Sequence, residues 1–100
     1  MPEILELKAK HFKGAPYDEC DRCPVANAAK DHFNCDEVLE YVNSLSLVDR
    51  FNGIATQRRY LHNPYNTTDF LSDRILAFKA GYDDTVIRVI TLTEPVKKEP

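Results

Sequence analysis

The chain has 100 residues, 43% of them hydrophobic, and a formal net charge of -3, which fits one globular domain. An acidic chain lacks the surplus of Lys and Arg that general nucleic-acid binding needs, so nucleic acid is not the expected partner. No apolar run approaches the ~20 residues of a membrane helix, and the N-terminal residues lack the build of a signal peptide. These features predict a cytoplasmic domain with reduced cysteines.

The first third of the chain predicts a strand, a loop and a helix. Leucines that alternate with charged residues predict a strand over residues 3–9 with one buried face. A short turn and a loop follow over residues 10–22. Pro24 suits the first position of a helix, and apolar residues recur every four positions as far as Phe33. Asn34 is the expected stop of this helix.

The middle of the chain predicts a hairpin. Residues 36–45 fit either a helical stripe or a strand, and their β-branched and aromatic residues favour the strand. Asn52-Gly53 is a strong hairpin signal, because both residues tolerate a positive φ. We therefore expect two paired strands over residues 45–51 and 54–61.

The last part of the chain predicts a helix and a strand. Thr67 or Thr68 is the expected cap of the helix, and Gly81 is its expected stop. Its apolar face is drawn from Phe70, Leu71, Ile75, Leu76 and Phe78. Residues 85–93 place apolar groups on both faces, which predicts a central strand in which Arg88 needs a partner or an open side.

The element order β-α-β-β-(β)-α-β predicts an α+β fold, with two helices on one face of a mostly antiparallel sheet. A ferredoxin-like arrangement is its simplest version. Residues 1–93 are expected to form this single domain. Two prolines and alternating charges predict a flexible tail over residues 94–100.

Several motifs resemble a pattern of short, mostly unannotated proteins of tailed phages and their bacterial hosts. His11 and Gly14 form a His-x-x-Gly pair, and Cys-Pro-Val-Ala-x-Ala spans residues 23–28. Residues 74–81 resemble the helix of this pattern that ends in Ala-Gly. The resemblance implies a small cytoplasmic accessory protein that is phage-encoded and acts on a host macromolecule, and it brings no functional residue with it.

One set of residues has the types that hold tetrahedral zinc, namely Cys20, Cys23, His32 and Cys35. A helix that begins at Pro24 would put His32 roughly 12 Å along its axis at ~1.5 Å per residue. Metal–ligand distances of about 2.0–2.3 Å cannot bridge that gap unless the preceding loop folds back. The helix and the metal site therefore compete, so we expect no cofactor and keep zinc as the alternative.

Cys20 and Cys23 also have the spacing of a redox pair. The dipole of a following helix lowers the pKa of a thiol at its N-terminus, and Arg22 would add to this effect. The helix is expected to begin after the second cysteine, however, and the alternating strand–helix order of such redox enzymes is missing. A metal- or thiol-dependent protein that uses this pair is the alternative function.

A basic and aromatic run, Arg-Arg-Tyr-Leu-His, occupies residues 58–62. Such groups on a sheet can stack bases and neutralise phosphates. On a strand, Arg58 and Tyr60 share one face, while Arg59 and Leu61 share the other, which divides the cluster. The division favours a solvated strand face, and it leaves a binder of RNA or a small phosphate ligand through Arg58 and Arg59 as a second alternative.

A domain of this size has little room for an enclosed active site, and neither a Gly-rich phosphate loop nor a hydrolase motif is present in the sequence. We therefore expect a non-catalytic interaction protein that binds another protein, with a homo-oligomer as a further option. The residues expected to form an exposed interaction patch are Tyr41, Phe51, Arg58, Tyr60 and Tyr65.

Overall fold

The computed structural model describes residues 3–16, 22–35, 37–41 and 43–94, and for Phe51 it describes the backbone alone. In chain order these residues form β1 (Glu3–Lys8), a 3-10 helix (Ala9–Phe12), α1 (Pro24–Phe33), β2 (Glu37–Glu40), β3 (Ser44–Phe51), β4 (Ile54–Leu61), α2 (Thr67–Lys79) and β5 (Val86–Leu92). The predicted α+β class is confirmed. The predicted flexible tail covers residues 94–100, and all of these except Glu94 lie outside the described residues.

The described strands pair in antiparallel fashion and form two sheets. β1 pairs with β5, and β3 pairs with β2 on one side and with β4 on the other. The sheets meet at a bridge between Leu61 and Thr93, whose backbone groups exchange hydrogen bonds of 2.7 and 2.9 Å. The single predicted sheet is thus divided in two. The pairing is not ferredoxin-like, because the first strand has β5 as its only described neighbour.

α1 begins and ends where the sequence predicts. Cys23 is the N-cap, and its Sγ accepts a hydrogen bond from the backbone N–H of Ala26 at 3.4 Å. Pro24 occupies the first turn, where a missing N–H costs nothing. Asn34 ends the helix with a φ of 52°. The small residues of α1 let it pack closely on β1 and β2.

The core lies between α1 and the two sheets. Its largest fully buried side chains come from both sheets and from the start of α1, and they are Leu5, Leu7, Pro24, Val25, Val38, Leu45, Leu47 and Leu92. The strand alternation that the sequence shows accounts for most of this set. Both helices lie on the face of the β1–β5 sheet that carries Leu5 and Leu7.

The hairpin of β3 and β4 is confirmed, and so is the strand at β2. Asn52 and Gly53 both have a positive φ, of 51° and 78°, as a tight two-residue hairpin turn requires. Leu45, Leu47 and Tyr60 are buried at the base of the hairpin, whereas β4 is exposed from Ile54 onwards as far as residue 59. The far half of the hairpin therefore extends beyond the core.

α2 turns a different face inward from the predicted one. Asn66, rather than Thr67 or Thr68, caps the helix, because its side-chain oxygen accepts the backbone N–H of Asp69 at 2.9 Å. The buried positions of α2 are Phe70, Asp73 and Ala77, whereas Leu71, Ile75, Leu76 and Phe78 are exposed. A carboxylate thus occupies the inner face where the sequence predicts apolar side chains.

β5 also differs from its prediction as a central strand. It pairs with β1 along its length, but its other edge has only the bridge at Thr93 among the described residues. Val86 and Val89 are accordingly exposed. The expectation that Arg88 needs a partner is confirmed, since it points at α2 and binds Asp73. Neither described helix is long and apolar enough to cross a membrane.

Candidate functional site

The residues of the zinc alternative do not come together in the described part of the chain. Cys23 caps α1 at one end, and His32 contacts Glu3 near the other. Cys35 follows α1 and donates to a backbone carbonyl of the next strand. Within residues 3–16, 22–35, 37–41 and 43–94, no group of three or more His, Cys, Asp or Glu side chains is arranged to hold a metal ion. Cys20 lies outside these residues.

Cys23 is a buried thiol. Burial is the largest cause that raises its pKa to about 12, and the nearby charge of Glu40 acts in the same direction. The N–H of Ala26 opposes this shift but does not cancel it. Because the thiolate is the reactive form of cysteine, the predicted activation of Cys23 by the helix terminus is not found.

Cys23, Glu40 and His62 form a buried polar cluster where the start of α1 meets the sheet of β2, β3 and β4. Cys23 donates to Oε2 of Glu40 at 3.7 Å, and Oε1 of Glu40 lies 3.5 Å from Nε2 of His62. The side chain of His62 is 0% exposed. Its Nδ1 donates to the carbonyl of Asn63 at 2.7 Å, so an unprotonated Nε2 would turn its lone pair toward the carboxylate.

The neighbours of His62 determine the direction in which its pKa is shifted. Burial alone would lower its pKa, but the carboxylate of Glu40 beside Nε2, together with the carbonyl of Asn63, raises the pKa above its ordinary value of 6.5. Folding therefore shifts the imidazole of His62 toward its protonated form. Sequence reasoning missed this cluster, because its three members come from separate elements and share no spacing signal.

The two arginines of the basic run lie on opposite faces of β4, as the alternation predicts. Arg58 and Tyr60 face α1, where the rings of Tyr60 and Phe33 stack with centroids 5.3 Å apart. The guanidinium of Arg58 lies 5.4 Å from the centroid of the Phe33 ring and 3.6 Å from the carboxylate of Asp49. Arg59 points to the other side of the sheet.

The predicted interaction patch is corrected at two positions. Tyr60 is only 7% exposed and Tyr65 only 6%, because Phe33 covers the first and the Asp73–Arg88 pair binds the second. Both tyrosines belong to the core and not to an exposed surface. Tyr41 is exposed, as predicted, and the side chain of Phe51 lies outside the described part.

A polar network attaches α2 to β5. The hydroxyl of Tyr65 donates to Oδ2 of Asp73 at 2.8 Å, and Arg88 donates to both oxygens of the same carboxylate. The second carboxylate near Arg88 is Asp69, at 3.5 Å. With one guanidinium between two carboxylates, Arg88 is already neutralised and is poorly suited to bind a further anion.

His11 has no free nitrogen for catalysis. Its Nδ1 accepts the backbone N–H of Lys8 at 2.9 Å, so Nε2 carries the proton and donates to Asp31 at 3.1 Å. Burial lowers the pKa of His11, which keeps the ring neutral at pH 7. The contact holds the 3-10 helix against α1 and gives this histidine of the His-x-x-Gly pair a structural role.

The outward face of α2 carries an apolar surface that we call the outer stripe, formed by Leu71, Ile75 and Phe78. At 3.6 residues per turn these positions lie within an arc of about 60°. Phe78 is 69% exposed, and about half of each of the other two is exposed. The ring of Tyr82 contacts Phe78 edge-on, with centroids 6.2 Å apart. The two rings border a groove of about 450 Å³ on this face.

Two cations flank the outer stripe. Around the helix axis, Arg74 lies about 40° outside the border of the stripe at Phe78, and Lys79 lies about 40° outside the opposite border at Ile75. Both side chains line the same groove. Neither makes an ion pair with any residue that the structure describes. The guanidinium of Arg74 lies 5.7 Å from the centroid of the Phe70 ring. The sequence signal for this surface was an excess of apolar residues over what one helix face can bury.

Comparison of the chain with protein-family models, with curated proteins and with solved structures finds no match in any of the three. The resemblance to phage proteins stays a prediction.

Proposed function

We propose that the protein is an interaction module that binds a partner protein through the outer stripe of α2. The observation that carries the proposal is the contiguous exposure of Leu71, Ile75 and Phe78 on one helical face. Single exposed apolar residues are normal, but a contiguous apolar patch with a polar rim marks an interaction site. The groove beside Tyr82 offers a recess for an inserted side chain.

The charges beside the stripe favour an acidic amphipathic helix as the partner. The chain as a whole has a net charge of -3, yet the groove on α2 is flanked by Arg74 and Lys79, which have no ion-pair partner among the described residues. A helix with apolar residues at i, i+4 and i+7 and carboxylates on either side would cover the stripe and neutralise both cations. Complementary charge of this kind fixes orientation and raises the association rate.

A second copy of the chain fits this surface less well. A two-fold interface brings the same patch of both subunits together. The flanks of the stripe are both cationic, so a symmetric α2–α2 contact would place Arg74 and Lys79 beside like charges. Like-charge contacts oppose association.

Two helical peptides with the same leucines at i, i+4 and i+7 test the proposal. One carries Glu at the flanking positions and the other carries Lys. Fluorescence anisotropy should show that the protein binds the acidic peptide about tenfold or more tightly than the basic one. Phe78→Ala should weaken binding about 30-fold, as loss of a central aromatic anchor does. Ile54→Ala is the matched control, because Ile54 is equally exposed but lies on the hairpin.

Two outcomes would overturn the proposal. One is equal affinity for the acidic and the basic peptide, or no binding of either. The other is a stable dimer in sedimentation velocity that Phe78→Ala dissociates, because the second copy would then be the occupant of the outer stripe.

A further inference from the structure

A second recess lies on the larger of the two sheets, which is formed by β2, β3 and β4. The face of β2–β3–β4 that is turned away from α1 contains an open groove of about 640 Å³. Its walls are formed by Tyr41, Asn43, Ser44, Ser46, Gln57 and Arg59. This volume falls within the range of about 300–1,000 Å³ that small-molecule sites occupy. None of the residues of α2 contributes to it.

Strand register brings the polar residues of the groove together. Ser46 of β3 lies directly opposite Arg59 of β4, so their Cβ atoms are neighbours on one face of the sheet. Ser44 and Gln57 each stand two residues away on the same strands and therefore share that face. The backbone N–H of Tyr41 donates to the carbonyl of Ser44 at 2.8 Å, which holds Tyr41 at the rim.

The two serines are the unusual feature. Ser44 is 3% exposed and Ser46 is 5% exposed, and both line the groove. Neither hydroxyl has a hydrogen-bond partner among the described residues. Because both serines line the groove, their hydroxyls are available there to hydrogen-bond a polar ligand.

The charge of the groove favours an anionic ligand. Arg59 makes no ion pair with the described residues, whereas its neighbour Arg58 is paired with Asp49. None of the described residues that line the groove carries a carboxylate. A guanidinium beside hydroxyl donors matches the oxygens of a phosphate, which arginine binds through two parallel N–H groups.

We propose that this groove binds a small ligand in which a phosphate is joined to a planar ring, of the nucleoside monophosphate class. Arg59 and the hydroxyls of Ser44 and Ser46 hold the phosphate. The half-exposed ring of Tyr41 stacks on the planar group, and the side-chain amide of Gln57 hydrogen-bonds its edge. One arginine in an acidic domain is too few to neutralise a nucleic-acid backbone, so the ligand is a single nucleotide and not RNA.

Titration of the ¹⁵N-labelled protein with AMP, adenosine and ribose 5-phosphate tests the proposal by amide shifts in NMR spectra. AMP should shift signals of β3 and β4 around the groove. Adenosine lacks the phosphate and ribose 5-phosphate lacks the ring, so each should bind about tenfold more weakly than AMP. Arg59→Gln should weaken AMP binding about tenfold or more, and Arg59→Lys, which keeps the charge without the fork, should weaken it less.

Arg58→Gln is the matched control, since it changes the same residue type on the opposite face of β4, and it should leave AMP affinity within about twofold. Arg59 is exposed, so its variants are expected to stay folded, and a thermal melt of each variant verifies this. The proposal is overturned if millimolar AMP leaves the groove signals unchanged, or if Arg59→Gln binds AMP like the wild type. Binding of an RNA oligomer with a steep salt dependence, without binding of AMP, would also overturn it.

Discussion

Asp73→Asn should destabilise the protein more than any substitution in the outer stripe. Asp73 is buried on the inner face of α2, where it accepts hydrogen bonds from Tyr65 and Arg88. The asparagine keeps the shape and still accepts from the tyrosine hydroxyl, but it removes the negative charge that faces Arg88. The substitution therefore isolates the ionic part of the attachment between α2 and β5.

The expected loss is about 2 kcal/mol of unfolding free energy. Hydrogen bonds to charged groups contribute about 1.5–3 kcal/mol, and we take the lower half of this range because the Arg88 side chain is 35% exposed and partly screened by water. Such a loss lowers the Tm of a domain of this size by about 8–16 °C. Leu71→Gln or Ile75→Gln changes an exposed side chain and should cost within about 0.5 kcal/mol.

Urea unfolding followed by circular dichroism gives all three values, and Tyr65→Phe combined with Asp73→Asn gives the coupling between the two side chains. The reasoning is refuted if Asp73→Asn costs less than about 0.5 kcal/mol while Ile75→Gln costs more than about 2 kcal/mol. That result would mean that α2 is rotated, with its outer stripe in the core, and the proposed interaction surface would not exist.

Three further predictions concern single groups. His62→Gln should cost more unfolding free energy at about pH 5.5 than at about pH 8.5. The raised pKa of His62 stabilises the folded protein fully below the ordinary pKa of 6.5, and this stabilisation is lost as the pH rises through the pKa of the folded state. Urea titrations at both pH values check this, and equal costs would contradict it. An alkylating reagent should modify Cys35 faster than Cys23 in the native protein, since Cys23 is buried with a pKa of about 12. Peptide mass mapping measures both rates. Faster modification of Cys23 would refute its assignment as an inert thiol. Gly53→Ala should lower stability by about 1 kcal/mol, because its φ is 78°; an unchanged melting temperature would argue against the tight turn.

Elements with a local backbone signal could be predicted from the sequence. Pro24 fixes a φ suited to the start of α1, and Asn52 and Gly53 accept the positive φ of the hairpin turn. The alternation along β4 also predicted that Arg58 and Arg59 would separate. Each of these signals acts within a few residues, so no knowledge of the rest of the fold is needed.

The face of α2 could not be predicted in this way. Hydrophobicity alone favours Leu71, Ile75 and Phe78 as the inner face, but Asp73 is turned inward by partners on two other segments, Tyr65 and Arg88. The division into two sheets likewise depends on which strand lies beside β5, and strand alternation is the same in either arrangement.

The groove on the larger sheet was missed for a similar reason. Ser44 and Ser46 are ordinary strand residues in the sequence, and they meet Arg59 only through the register of β3 and β4. The Cys23–Glu40–His62 cluster also forms only once the start of α1 packs on the larger sheet. Sites assembled from separate elements leave no spacing pattern in the chain.

The most direct test of the central claim is an NMR titration of the labelled protein with the acidic helical peptide. The account predicts that amide signals of α2 around Ile75 and Phe78 shift, that signals of the β3–β4 groove around Arg59 do not, and that Phe78→Ala abolishes the shifts. Shifts elsewhere with α2 unaffected, or shifts that persist in Phe78→Ala, would contradict the assignment of the outer stripe as the binding surface.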